Sequence, residues 1–408
     1  MEDSETIGNS TEFRKEEQLV DAKSASFKKE LGLTDLVLTQ ILFIVGLPWV
    51  GVAAKQGQSH IVLWLAAMLL FYIPSAVVVI YLNRAMPLEG GLYQWAKLGF
   101  SDVIGFMVAW NLWLFAILNS SEIGLQLTQY LDYITGPAGD KLLSTPWFIG
   151  LINVVVIGAL VVITIIGLGV GKWVHKVGGA LMLVTFGTIL VLPLLNLAHG
   201  SLREYHPLTI EMPVLSVMTL NLLGKMGFGA LGGFEYVAIH AGEARDPVRS
   251  IGRSVAVAAP IIAIMFILGT SSVLALIPQD QIDLIAPIPQ VLAVGFGPLG
   301  GVAAIGTLTI MALLSIRVAQ ASVMFGGNTR LPMVAGWDGL LPTWFTRLHP
   351  KFRTPSTATW IAGFVVGIPA GMLDIGTLAD LSNIGTLFAF VLVSAGVIAL
   401  LSLVPGGA

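Results

Sequence analysis

Two glycine-broken stretches decide how this chain is read: Gly46-Leu47-Pro48-Trp49-Val50-Gly51 and Gly227-Phe228-Gly229-Ala230-Leu231-Gly232-Gly233. Each interrupts a run that is otherwise apolar enough for a membrane helix. Gly and Pro weaken helix interiors. In lipid, the backbone groups they free must be received by protein or by a water-filled cavity. The rest of the chain fits a bilayer. Of its 408 residues, 55% are hydrophobic and 11% charged, with a mean hydropathy of +0.85. A soluble domain carries about 25% charged residues, so a soluble enzyme and a disordered chain are excluded. A net charge of −3 gives no basic surface for nucleic acid. With no cysteine, disulfides and thiolate chemistry are absent.

Crossing the hydrocarbon core takes about 20 apolar residues in a helix. Ten stretches meet that length, numbered here as spans 1 to 10: 36–54, 61–83, 101–128, 147–168, 174–197, 214–240, 252–277, 296–326, 356–373 and 377–403. Their long unbroken runs argue for helices rather than the two-residue alternation of a β-barrel. Residues 1–35 form a polar tail, expected to be solvated and partly disordered, with no apolar core of a signal peptide. Sixteen of the 21 Lys and Arg residues fall on the tail's side, against Lys55, Lys141 and Arg203 on the other, with Lys225 and Arg317 inside spans. The positive-inside rule then makes both termini cytoplasmic. A bacterial inner (plasma) membrane is the expected location.

The broken spans, 1 and 6, are five spans apart. That divides the chain into a first five-helix repeat (36–198) and a second (199–408) of opposite topology. Interruptions at matching places in two inverted halves point to the binding site of a transporter. The competing reading is that small residues let helices pack closely. It accounts for most of the 46 glycines, but less well for four within seven residues beside Glu235.

Three segments carry a resemblance. The end of span 2 reads Pro87-Leu88-Glu89-Gly90-Gly91-Leu92-Tyr93, followed by Gly105 and Trp110. Span 6 reads Gly233-Phe234-Glu235, then Glu243-Ala244-Arg245-Asp246-Pro247-Val248-Arg249. After span 8 come Arg330, Asp338-Gly339-Leu340-Leu341-Pro342 and Thr354-Pro355. In this order the chain resembles an amino-acid permease of the amino acid–polyamine–organocation superfamily. The resemblance implies an all-α membrane protein with the leucine-transporter-like inverted repeat, and secondary transport of amino acids or related amines by alternating access. Relatives usually continue beyond a tenth helix and have a less bulky break in span 1. Proton-coupled relatives often carry a Lys on span 5 where Thr185 stands. In arginine- and polyamine-handling relatives an aromatic lid lies six residues before the helix 6 Glu, where this chain has Gly229.

An amino acid brings a carboxylate and an ammonium. N–H groups at the start of a half-helix suit the carboxylate, which places donors near Val50, Gly51, Gly232 and Gly233. Carbonyls freed around Gly46 and Gly229, such as those of Val45 and Phe228, suit the ammonium. Trp49, Phe228, Phe234 and Tyr236 are candidates to line a side-chain pocket. A charge inside a span costs at least about 2.5–3.5 kcal/mol, so each needs a partner or a task. Glu235 is expected to hold the unwound backbone or to gain a proton, since burial raises a carboxyl pKa. Arg317 is expected either to stand in for a coupling cation or to pair with Glu235. Glu122 and Lys225 are candidates for a pair across the outer vestibule. Glu243, Arg245, Asp246, Arg249, Arg253, Arg330 and Asp338 could form a gate of salt bridges on the tail's side.

No metal cluster, cofactor fingerprint or catalytic set is present in the sequence. The expected partners are the lipid bilayer and a small amino acid or amine, with a proton or no coupling ion ahead of sodium. A polyamine carrier and a transport-dead membrane sensor are the alternatives.

Overall fold

In the computed structural model, residues 11–25, 27–121, 123–284, 286–300 and 302–367 are described. Span 10, the end of span 9 and Glu122 lie outside them. Five helices among the described residues are long and apolar enough to cross a membrane, and a sixth span is a bent pair. The long ones include Gly57–Ala85, Pro146–Ile166, Leu168–His199 and Pro247–Leu276.

The bent pair is span 1. Helix Leu33–Ile44 ends at Val45, Gly46 is extended, and helix Leu47–Ala54 restarts at an angle of 46°. Pro48 fits the first turn of the second half, where its missing N–H costs nothing. Span 6 is broken over a longer stretch. Helix Val217–Lys225 runs into a π turn, Met226–Ala230, and residues 231–235 leave the helix before a short segment, Tyr236–Ile239. Span 2 carries its own π turn, Met68–Tyr72. The two meet, and the rings of Phe71 and Phe228 lie 4.6 Å apart.

The core lies between these broken spans and spans 2, 5, 7 and 8. Trp64 stacks on Phe266 at 4.5 Å and donates its indole N–H to Thr270 at 3.1 Å. Gln40 donates to Ser254 at 2.6 Å, tying span 1 to span 7. On span 5, a β-carbon at Gly178 would lie 2.4 Å from Ala319, and one at Gly179 would lie 2.9 Å from Leu38 O. Close backbone approach of this kind is how small residues pack membrane helices.

Two features differ from the sequence expectation. Part of the tail is ordered as a helix, Thr11–Ser24, whose Val20 is buried and whose Lys23 donates to Trp337 O at 2.8 Å. The polar composition concealed this because only one face of that helix is covered. Between spans 7 and 8 lies an extra helix, Pro287–Phe296, too short to cross a membrane; span 8 itself begins at Val302.

Candidate functional site

A cavity of about 450 Å³ opens where the breaks of spans 1 and 6 face each other. Span 1 contributes Gly46, Pro48 and Trp49; span 6 contributes Phe228, Gly229, Gly232, Gly233, Glu235 and Tyr236; span 8 contributes Arg317 and Gln320. Ser120 and Gln126 face it from span 3. Trp49, Phe228 and Gly229 also line a neighbouring groove with Asn221, Gly224 and Lys225. Lys225 is exposed there.

The backbone at both breaks is largely committed to the protein itself. Gly46 N–H donates to Ile44 O at 2.8 Å, and Trp49 N–H donates to Gly46 O at 3.1 Å. Gly233 N–H donates to the Glu235 carboxyl at 3.1 Å. The Val45 carbonyl is taken by the Gln320 amide at 2.9 Å, and the Leu42 carbonyl by the same nitrogen at 2.8 Å. Gln320 is in turn oriented by Arg317, whose Nη1 donates to its side-chain oxygen at 2.7 Å. Arg317 makes no ion pair with Glu235 or any other carboxylate among the described residues.

Several expected site residues sit elsewhere. The span 1 helix restarts at Leu47, not beyond Gly51, so helical geometry puts the N–H of Gly51 inside the hydrogen-bonded ladder. Gly51 is there for packing: a β-carbon would lie 2.7 Å from Pro287. Val50 is buried and reaches towards Gly269. Phe234 is fully buried against Tyr72, with ring centroids 4.7 Å apart, and does not line the cavity. Thr185 is buried on span 5 and is likewise outside the lining.

A second constellation closes the face from which span 1 starts. The Pro87–Gly91 loop docks on the far half of span 6: Gly90 N–H donates to Ile239 O at 3.2 Å, and Glu89 accepts from Gly242 N–H at 2.6 Å. A β-carbon at Gly91, which has a φ of 43°, would lie 2.8 Å from the Ala238 carbonyl carbon. Arg330 grips Glu243 at 2.7 Å and approaches Glu89 at 3.8 Å, while His240 Nδ1 lies 3.1 Å from Glu243. Burial works to raise the Glu243 carboxyl, but Arg330 and His240 outweigh it and hold the group down at about 2. Asp338 receives Lys97 at 2.9 Å and the Tyr93 hydroxyl. Arg245 is exposed and is held through its backbone N–H on Leu31 O at 3.0 Å; Asp246 caps the next helix. The buried members of this cluster are thus Glu89, Glu243, His240 and Arg330. Glu89 joins this cluster from inside the Pro87–Gly91 motif.

Two discontinuous membrane helices crossing at a central cavity define a transporter of the leucine-transporter-like fold. A solved structure of MhsT in complex with L-phenylalanine has the same fold, with a TM-score of 0.62 at 16% identity, covering 91% of this chain and 89% of that one. The chain matches the amino acid permease family over residues 31–402 and belongs to it. It is a secondary transporter of amino acids by family and fold. Among its relatives is the branched-chain amino acid permease BcaP of Bacillus subtilis (strain 168), 24% identical over 95% of this chain and 85% of that one. The methylthioribose transporter of the same organism is 24% identical over 93% of this chain and 82% of that one.

Proposed function

We propose that the chain carries neutral amino acids through the central cavity, without sodium, by proton-linked symport or by exchange. The observation that carries this is the cavity itself: it lies at both helix breaks, is walled by Trp49, Phe228 and Tyr236, and among the described residues holds one carboxyl and one guanidinium. A single carboxyl beside a permanent cation is unsuited to a polyamine, which needs several anionic partners. The similarity to a branched-chain permease supports an apolar side chain in the walls.

Sodium independence rests on Gln320. Its amide already occupies two carbonyls at the span 1 break, the oxygen type that a hard cation takes as ligand. Glu235 is the candidate proton carrier, because its protonation would loosen its hold on Gly233 and the unwound turn. The gate of Glu89, Glu243, His240 and Arg330 seals one side while the cavity joins a groove through Trp49 and Phe228. The positive-inside bias supports placing the sealed side in the cytoplasm.

The test is counterflow in proteoliposomes loaded with the twenty amino acids one at a time, with and without sodium, at two pH values. Uptake of a neutral amino acid that ignores sodium and disappears in Gly232→Leu is expected. A β-carbon at Gly232 would meet Phe228 O at 2.8 Å, so a larger side chain fills the break. Sodium-dependent uptake, or uptake only of polyamines, would overturn the reading.

A further inference from the structure

Among the described residues, no carboxylate pairs with the one guanidinium in the cavity lining. Arg317 is half-buried on span 8 and faces the cavity. A guanidinium has five N–H donors and stays charged at any working pH. Its one hydrogen bond among the described residues goes to Gln320, a neutral amide. Glu235, the carboxyl that shares the lining, is turned to its own backbone through Gly233 N–H.

Several of the donors that the two breaks would ordinarily offer a carboxylate are meanwhile engaged. Pro48 has no N–H, Trp49 N–H is given to Gly46 O, and Gly233 N–H to Glu235. An anion entering the cavity therefore meets few free backbone donors and one under-used guanidinium. Gln320 fixes that guanidinium by one nitrogen. The remaining N–H groups keep the planar fork that suits a carboxylate.

We propose that Arg317 is the receptor for the substrate's carboxylate, and that this contact selects substrates bearing a free carboxylate over their uncharged or cationic derivatives. The proposal rests on the reading that the central cavity binds an amino acid. It gives that cavity a specificity residue on span 8 rather than on either broken span. The ammonium is left to Glu235, the carboxyl that shares the lining.

Thermal stabilisation of the detergent-purified protein by each of the twenty amino acids, and by the matching amino acid carboxamides, separates the cases. The carboxamide keeps the side chain and the amine but has no anion. The expected result is a wild-type preference for the acid of about tenfold or more in Kd. It should collapse towards unity in Arg317→Gln and survive in part in Arg317→Lys. Carboxamides that bind wild type as well as the acids do would overturn the proposal. So would an unchanged acid preference in Arg317→Gln. If that variant fails to fold, Arg317→Lys carries the comparison, and an unchanged acid preference there would overturn the proposal. Wild type that binds no amino acid at all would instead overturn the reading of the cavity.

Discussion

The indole of Trp49 lies over Gly229: a β-carbon on that glycine would sit 2.7 Å from Trp49 Cζ2. The same ring closes on Gly46, where a β-carbon would lie 2.5 Å from Cδ1. The bulk that made the span 1 break unusual and the missing aromatic on span 6 are therefore one fact. The ring comes from the other helix, and Gly229 is small enough to admit it.

Trp49→Ala should weaken binding of the best substrate by about tenfold, the worth of a well-placed aromatic contact. Adding Gly229→Phe to that variant should recover part of the loss by supplying the ring from span 6. In an otherwise wild-type background, Gly229→Phe alone should abolish binding. Kd values from thermal stabilisation check all three; a Gly229→Phe single variant with normal affinity would remove the lid from the account.

Gln320→Leu keeps the size of the side chain and removes its amide. The carbonyls of Leu42 and Val45 then lose their donor and Arg317 loses its anchor. An orphaned buried acceptor costs about 1–3 kcal/mol, so the melting temperature should drop by several degrees. An unchanged melting temperature would mean that water replaces the amide without loss.

The gate should leave a signature in stability against pH. Glu243, held down at about 2, stabilises the folded state above its ordinary value of 4.5 and loses that contribution as pH falls from there through about 2. Glu89, between spans 2 and 3, behaves in the opposite sense. Burial, reinforced by repulsion from Glu243, pushes its carboxyl up to about 8 against the pull of Arg330 and Gly242 N–H. Between 4.5 and about 8 the folded state keeps a proton that the unfolded state has shed. Stability from this group therefore falls as pH rises across that window. Melting temperatures measured from pH 5 to pH 9 should decline in wild type and flatten in Glu89→Gln; an identical decline in both would locate the effect elsewhere.

Gly91→Ala should impair transport and stability together. The positive φ alone costs a non-glycine residue about 1–2 kcal/mol, and the new β-carbon would press on the Ala238 backbone. Gly99→Ala is the control, since nothing lies within 4 Å of a β-carbon there. Equal uptake and melting temperature for the two variants would show that the loop does not hold span 6.

Spans 1 and 6, their breaks and the cluster of motif residues at one face were all legible in the sequence, because each depends on glycine, proline or charge placed within apolar runs. The register of the span 1 break was not. Gly51 resembles the end of a break, but Pro48 starts the helix earlier and Gly51 answers to Pro287. Gln320 escaped notice because a lone amide in an apolar helix carries little signal. Its spacing of three from Arg317, which puts the two on one helix face, was the clue. Glu89 was hidden for another reason: its partners, Gly242 and Arg330, are far away in sequence and only the fold brings them together.

The tail helix reaches the same neighbourhood from outside. Lys23 is tied to the carbonyl of Trp337, and Phe27 stacks on that ring at 6.0 Å, between Arg330 and the loop that begins at Asp338. The tail thus straps down the helix that follows span 8, Leu331–Trp337. An affinity tag or a deletion there is a mechanical intervention on the face that carries Arg330, and a fluorophore on the tail is placed to read any movement of that face.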